Sequence, residues 1–200
     1  MLGKETDTQD ITGTVLKECD PSEITEETAK KCIESFIGEY DQIPPMYSAL
    51  KVNGKKLYEL AREGKVVERK SRKVQIYDIR IKEMKLPRIR MEVSCSKGTY
   101  IRTLCNDVGE VLGVGGCMES LLRTKVSRFE LKDSMKLADI EKAKNEGRTE
   151  EIILPLDEVF VEYPKIIVTG RQAQLAYNGN PFPKESAKNF DFTRKRRRRG

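Results

Sequence analysis

The sequence contains no histidine. That excludes His-based triads and most catalytic zinc sites, and it removes the commonest general base. Any chemistry has to run on carboxylates, Tyr, Lys, Arg or Cys. No stretch approaches the ~18 apolar residues of a membrane span, and the N-terminus carries no signal-peptide pattern. The five cysteines, Cys19, Cys32, Cys95, Cys105 and Cys117, show no C-x-x-C spacing. An odd count without a secretion signal predicts reduced thiols in a cytoplasmic protein. There is no internal repeat.

Excess positive charge is also missing from most of the chain. The net charge is +6, and the run Arg194-Lys195-Arg196-Arg197-Arg198-Arg199 supplies all of it. This tail is expected to be disordered. Nucleic-acid binding by the folded part must therefore be argued from local clusters and motifs. At 200 residues, with 38% apolar and 35% charged, there is material for one domain or a domain with a small appendage.

The clusters exist. Residues 18–41 hold eight acids against two lysines, while residues 51–73 hold nine bases against three acids. The pattern is an acidic supporting element followed by a basic surface. The acidic block predicts a helix capped by Thr25, with Glu26 and Glu27 in its first turn, an apolar face of Ala29, Cys32, Ile33 and Phe36, and Gly38 as its stop. Pro44-Pro45 enforces an extended segment. Asn53-Gly54 signals a turn, and a helix is predicted over 55–63 with Gly64 ending it.

Val74 and Ile76 alternate, then Ile79 and Ile81 alternate in the opposite phase. That predicts a strand with a bulge near Tyr77-Asp78. Ile89, Met91, Val93 and Cys95 predict a second strand. Ser96-Lys97-Gly98 breaks it, and Thr99 is the expected N-cap of a helix running to Gly113 over Ile101, Leu104, Cys105, Val108 and Leu112. A helix over 136–145 behind Ser134, with Leu137, Ile140 and Ala143 inward, a strand at 166–169 and a helix at 172–177 follow. Strands and helices mix without a βαβ period, so the class is α+β.

Two segments could carry chemistry. In Gln42 to Arg62, two prolines stiffen a loop bearing Tyr47, and cations Lys51, Lys55 and Lys56 follow, with Tyr58 and Arg62 four apart on one helical face. Cations meet phosphates and rings stack on splayed bases. A solvated basic helix with two packing tyrosines fits the same composition. In Cys95 to Leu104, a strand passes through Lys97-Gly98 into a helix start, with Tyr100 and Arg102 off the apolar stripe. Arg can hold a carboxylate by two parallel bonds and Tyr can stack on a planar substrate. A surface Arg and a half-buried core Tyr are the plain alternative. Asp7 and Asp10 read as a turn, Cys105 as core, and Gly113-Val114-Gly115-Gly116 as a loop and not a dinucleotide fingerprint.

In this order these segments resemble the TruB family of tRNA pseudouridine synthases. Residues 2–13, from Leu2 to Gly13, look like the strand segment past the family's catalytic region. Pro-Pro-Met-Tyr-Ser-Ala-Leu-Lys looks like its RNA-gripping thumb, and Cys95 to Thr103 like its Tyr- and Arg-bearing motif. Leu121-Leu122-Arg123 with Val126-Ser127 is similar to the segment after it, and Leu154-Pro155-Leu156-Asp157 and Asn178-Gly179-Asn180 to a later part.

The resemblance implies a partial pseudouridine-synthase sheet, mixed or antiparallel, with flanking helices and a thumb. Its divisions would be a catalytic portion over 1–153 (thumb about 42–70), the start of a C-terminal region over 154–193, and the tail over 194–200. It implies isomerisation of uridine 55 in the T-loop of tRNA without cofactor or metal. Tyr100 would stack on the flipped uracil and assist proton removal, Arg102 would pair with the nucleophilic Asp, and Leu121 would line the base pocket. Tyr47, Lys51, Lys55, Lys56, Tyr58, Arg62 and Lys97 would hold the T-arm. The Gly-His-x-Gly-Thr-Leu-Asp-Pro segment that carries the family's nucleophile has no counterpart in these residues. The expectation is thus an N-terminally truncated synthase, inactive alone, whether a gene fragment or one piece of a split enzyme with a separate N-terminal partner. The alternative is a non-catalytic tRNA-binding or RNA-folding module.

Overall fold

The computed structural model describes residues 1–161, 163 and 166–183, so the Arg-rich tail lies outside the described residues. The chain divides into two compact units, Met1–Arg123 and Thr124–Gly200.

The first unit is α+β. A hairpin of β1 (Lys4–Thr6) and β2 (Val15–Glu18) precedes helix α1 (Glu26–Ser35) and strand β3 (Gly38–Gln42). The thumb follows: β4 (Lys51–Val52), β5 (Lys55–Lys56) and helix α2 (Leu57–Arg62). The long strand β6 (Arg72–Lys85), β7 (Arg88–Cys95) and helix α3 (Ile101–Val111) complete the unit's elements. The main sheet has the order β3-β6-β7, antiparallel throughout.

Helix α1 forms where its capping pattern places it. Thr25 Oγ1 accepts from Thr28 N at 3.1 Å, satisfying a first-turn N–H. Ala29 and Ile33 are fully buried on its inner face. Ile33 meets Ile76, Ile79, Leu104 and Val108, so α1 and α3 cover one face of the sheet. Burying each such aliphatic side chain contributes about 1.5–3 kcal/mol. The phase change in β6 is a bulge: Ile76 pairs with Cys95 and Asp78 with Ser94, leaving Tyr77 without a partner and turned outward. A second register shift, between Ile81 and Glu83, falls where the apolar spacing lengthens from Ile81 to Met84.

The thumb has its own small core, Met46, Leu57 and Leu60. Its helix begins at Leu57, two residues later than predicted, because Lys55 and Lys56 pair with Val52 and Lys51 across the Asn53-Gly54 turn. Both turn residues have positive φ, 51° and 82°, as a two-residue hairpin loop requires.

Thr99 does not cap α3. Its hydroxyl donates back to Ser96 O at 2.9 Å, closing the turn, and Tyr100 is the N-cap. The C-terminal end of α3 lies against the Gly113–Gly116 loop, where Gly115 N and Val114 N donate to Gly109 O at 2.9 and 3.2 Å. The loop in turn holds the N-terminus, through Gly3 N to Gly115 O at 3.0 Å and Cys117 N to Met1 O at 2.9 Å.

The second unit holds a two-residue hairpin, β8 (Lys125–Val126) with β9 (Phe129–Glu130), a 3-10 turn (Leu131–Asp133), and helices α4 (Leu137–Asn145), α5 (Thr149–Ile152), α6 (Leu156–Val159) and α7 (Gly170–Tyr177). On α4 only Ala143 of the predicted inner face is buried; Leu137 is 85% exposed and Ile140 40% exposed. Of the face that helical spacing predicted, the described residues of this unit cover only Ala143. The strand expected at 166–169 reduces to a single bridge residue, Ile167. No described helix is long and apolar enough to cross a membrane.

Candidate active site and nucleic-acid interface

The site is built where β7 hands over to α3. Ser96 stays paired with β6 beyond the end of the strand: Ser96 N donates to Gln75 O at 2.8 Å, and Gln75 N to Ser96 Oγ at 3.0 Å. Gly98, at φ +86°, lets the chain reverse, and Tyr100 enters the helix in an extended conformation. Tyr100 and Arg102 are both half-buried. Their common origin is the helix start, and Arg102 reaches from it to the thumb, where its Nη2 donates to Tyr47 O. Among the described residues Arg102 has no carboxylate partner, so the rest of its guanidinium fork is unengaged. One turn further into the unit, Thr103 Oγ1 donates to Gln9 Oε1 at 2.7 Å, tying α3 to the β1–β2 hairpin.

The thumb presents its cations as the helical spacing requires. The Tyr58 ring contacts two of them, with Lys56 Nζ 5.3 Å and Arg62 Cζ 5.4 Å from its centroid. Lys56 Nζ also donates to Tyr58 Oη at 3.0 Å, a bond that raises the lysine's pKa further. Lys51, Lys55 and Lys97 are exposed, and Lys55 sits 3.7 Å from Glu63. Tyr47 is half-buried, because it packs on the thumb core.

Between the thumb and the β1–β2 hairpin lies a hollow of about 450 Å³. Glu5, Asp7 and Gln9 line it from the hairpin, Tyr47, Lys65 and Arg69 from the thumb, and Asn106 from α3. Arg69 Nη1 donates to Pro44 O at 3.0 Å and closes the base of the thumb, while its Nε is buried without a partner. Leu121 takes no part in this wall. It is 55% exposed, because the chain leaves Met118 as an open, solvated segment. Tyr100 stands next to the hollow's Tyr47 wall through Arg102 but does not itself line the hollow.

Asp7 and Asp10 are turn residues, as their sequence context suggested. Asp7 Oδ1 accepts from Thr14 N at 2.8 Å and Asp10 Oδ1 from Thr12 N at 3.0 Å. Desolvation pushes the Cys105 thiol up to about 11, which keeps it protonated and poorly nucleophilic. All five cysteines are unpaired, and among the described residues no group of three or more Cys, Asp or Glu is placed to hold a metal ion.

Sequence reasoning passed over Gln42 and Arg69. Gln42 ends β3 with only 1% of its surface exposed, and its amide grips both peptide groups of Tyr100. The available signal was an uncharged polar residue at a buried strand end, immediately before the double proline.

A strand-to-helix turn bearing Tyr and Arg is thus fastened to a cationic, aromatic segment within an α+β unit. Comparison with known proteins specifies it further. The family model described as TruB family pseudouridylate synthase (N terminal domain) matches residues 1–101, and that of the tRNA pseudouridylate synthase B C-terminal domain matches residues 102–161. The chain belongs to the TruB family. It is 51% identical over 156 residues to tRNA pseudouridine synthase B of Lachnoclostridium phytofermentans, covering 74% of this chain and 51% of that protein. It is 47% identical over 178 residues to the Clostridium tetani protein of the same name, covering 89% and 60%. The chain thus spans between half and three fifths of these relatives' length. Among solved structures, a chain from a crystal structure of a Cbf5-Nop10-Gar1 complex superposes with a TM-score of 0.60 at 25% identity, covering 80% of this chain and 45% of that one.

Proposed function

We propose that this chain acts in the isomerisation of uridine to pseudouridine in tRNA, at position 55 of the T-loop, in the cytoplasm. The observation that carries this reading is the bond from Arg102 Nη2 to Tyr47 O, which joins the Tyr-Arg motif to the thumb. A base reaching the motif would pass the thumb's rings and cations on the way.

In this reading the thumb, over about residues 42–70, grips the T-arm. Lys51, Lys55, Lys56, Arg62 and Lys97 face phosphates, and Tyr47 and Tyr58 offer stacking surfaces. The target uridine is flipped out of the loop, at a cost of a few kcal/mol that stacking and pocket contacts offset. Tyr100 packs on the uracil. The unengaged donors of Arg102 hold the nucleophilic carboxylate in line with the sugar-base bond. That carboxylate attacks C1′ and the N-glycosidic bond breaks; the base then rejoins C1′ through C5 as the carboxylate leaves, the C5 hydrogen departs as a proton, and N1 takes up a proton. The 200 residues contain no Gly-His-x-Gly-Thr-Leu-Asp-Pro segment to provide the carboxylate. In this reading they isomerise uridine only when such a segment is supplied.

The experiment is tritium release from 5-tritiated uridine in a T-arm transcript, with and without a supplied N-terminal segment of the family type. Release is expected only with the segment. Release by the chain alone would overturn the dependence. Sub-micromolar binding with no release in either arm would instead identify an RNA-binding module without the chemistry.

A further inference from the structure

We propose that Gln42 is the positioning residue for Tyr100, fixing the direction in which that ring meets the base; this rests on the role assigned to Tyr100 above. The geometry is specific. Tyr100 N donates to Gln42 Oε1 at 2.8 Å, and Gln42 Nε2 donates to Tyr100 O at 3.1 Å. A primary amide offers one donor edge and one acceptor edge in a single plane, the same pair that a neighbouring strand would offer. Gln42 therefore treats Tyr100 as one more residue of the sheet, although β3 has already ended. Bonds to the peptide groups on both sides of the Tyr100 Cα fix the residue's position and rotation together, and with them the direction of the Cα–Cβ bond that carries the ring.

Among the described residues no other group does this. As N-cap of α3 Tyr100 makes no side-chain capping bond, and its carbonyl otherwise accepts from Leu104 N at 3.1 Å. A helix N-cap has free backbone torsions on its outer side and is ordinarily a point of fraying. Gln42 removes that freedom from a residue required to hold a flat ring in place. The clamp is itself braced. Gln42 is almost wholly buried, its backbone pairs with Arg72 in β6, and Nε2 donates also to Tyr40 Oη. The Tyr40 ring packs edge-on against Phe36, with centroids 5.4 Å apart, so the brace extends to the end of α1. With the amide hydrogens directed at two oxygens, the opposite amide orientation would bring Nε2 against the Tyr100 N–H.

The alternatives at this position are poor physically. Glu has the same shape but presents an oxygen to Tyr100 O, which has no hydrogen to donate. Leu keeps the volume and leaves the Tyr100 N–H unpaired in a half-buried place. Asn falls one methylene short. A purely structural polar residue would tolerate a shape-conserving swap. A positioning residue would not.

The test uses the full chain labelled with 3-fluorotyrosine, the Tyr100 ¹⁹F resonance being assigned with Tyr100→Phe. Tritium release is measured in the presence of the supplied N-terminal segment. Gln42→Glu and Gln42→Leu are expected to shift and broaden the Tyr100 resonance. They should lower kcat by about a hundredfold, the order set by an ångström of misplacement at a reacting centre, while KM stays within about twofold because the cations and rings of residues 47–62 are unchanged. Tyr40→Phe, which keeps both bonds to Tyr100, should move the resonance less and leave most of the rate. An unmoved Tyr100 resonance in Gln42→Leu would overturn the proposal. So would a rise in KM equal to the fall in kcat/KM, since that would place the defect in RNA binding. Should the wild-type chain with its segment release no tritium, the isomerase reading fails. The fluorine spectrum then still decides whether Gln42 sets the ring.

Discussion

Gly109 sits in the middle of α3, where replacing glycine by alanine ordinarily stabilises a helix by about 1 kcal/mol. At this position the sign should reverse. A Cβ built on Gly109 would lie 2.1 Å from Gly116 N, 2.2 Å from Gly115 C and 2.5 Å from Gly115 O. These are backbone atoms and cannot rotate aside, so helix and loop would have to part by roughly 1 Å in an interior packed at crystal density. Overpacking of this kind costs about 1–3 kcal/mol. Parting also stretches the bonds that Val114 N and Gly115 N donate to Gly109 O, each contributing about 1 kcal/mol. The net expectation for Gly109→Ala is a loss of about 2–4 kcal/mol, read from urea unfolding followed by far-ultraviolet circular dichroism. Gly98→Ala serves as the comparison. A Cβ there meets nothing within 4 Å, and only its φ of +86° is strained, a cost of about 1–2 kcal/mol. A Gly109→Ala variant as stable as wild type, or more so, would refute the close approach of loop and helix. It would also refute the support that this loop gives to the hairpin side of the hollow.

Raising salt should weaken binding of T-arm RNA with a log–log slope that falls by about 0.7–0.9 for each phosphate-contacting cation removed. Lys51→Ala and Lys97→Ala should each show this fall in a fluorescence-anisotropy titration. Lys55→Ala should show less, since Lys55 is already paired with Glu63 at 3.7 Å. Arg69→Met should loosen the base of the thumb by removing the bond to Pro44 O, seen as faster amide exchange over residues 44–60 with the salt slope unchanged. Desolvation raises Asp107 from its ordinary 3.8 to about 6. The fold therefore favours its protonated form, and that contribution is full below about pH 4 and lost as pH rises through about 6. Asp107→Asn should stabilise the first unit at pH 8 by about 1 kcal/mol, a discounted figure because the carboxyl is part-exposed. It should flatten the stability profile between pH 4 and 6.

What could be read from the sequence followed from how local each signal is. Thr25, the apolar face of α1, the Asn53-Gly54 turn and the Tyr77 bulge depend on torsions and periodicities within a few residues, and each stands where it was expected. Strand β3 carries only Tyr40 as a large apolar residue in Gly-Glu-Tyr-Asp-Gln, so no alternation announced it, and its pairing with β6 is set across thirty residues of chain. The capping of α3 was misplaced by one residue because Ser96 competes for the Thr99 hydroxyl. The exposure of Leu137 shows the same limit, since a helical stripe says which face is apolar but not what will cover it. In the site, Tyr100, Arg102, Tyr58 and Arg62 could be named from motif and spacing. Gln42 and Arg69 could not, because their partners, Tyr100 and Pro44, are brought to them only by the fold.

The account turns on one juxtaposition, a T-loop base lodged against Tyr100 with the RNA held by the thumb. Its most direct measurement is photo-crosslinking of a T-arm RNA bearing 4-thiouridine at position 55, with the attached peptide mapped by mass spectrometry. The account predicts attachment at Tyr100, with a minor product at Tyr47, and loss of both when Arg102 is replaced by Met. Crosslinks confined to the Arg194–Arg199 run, or scattered over the second unit and indifferent to Arg102, would contradict it.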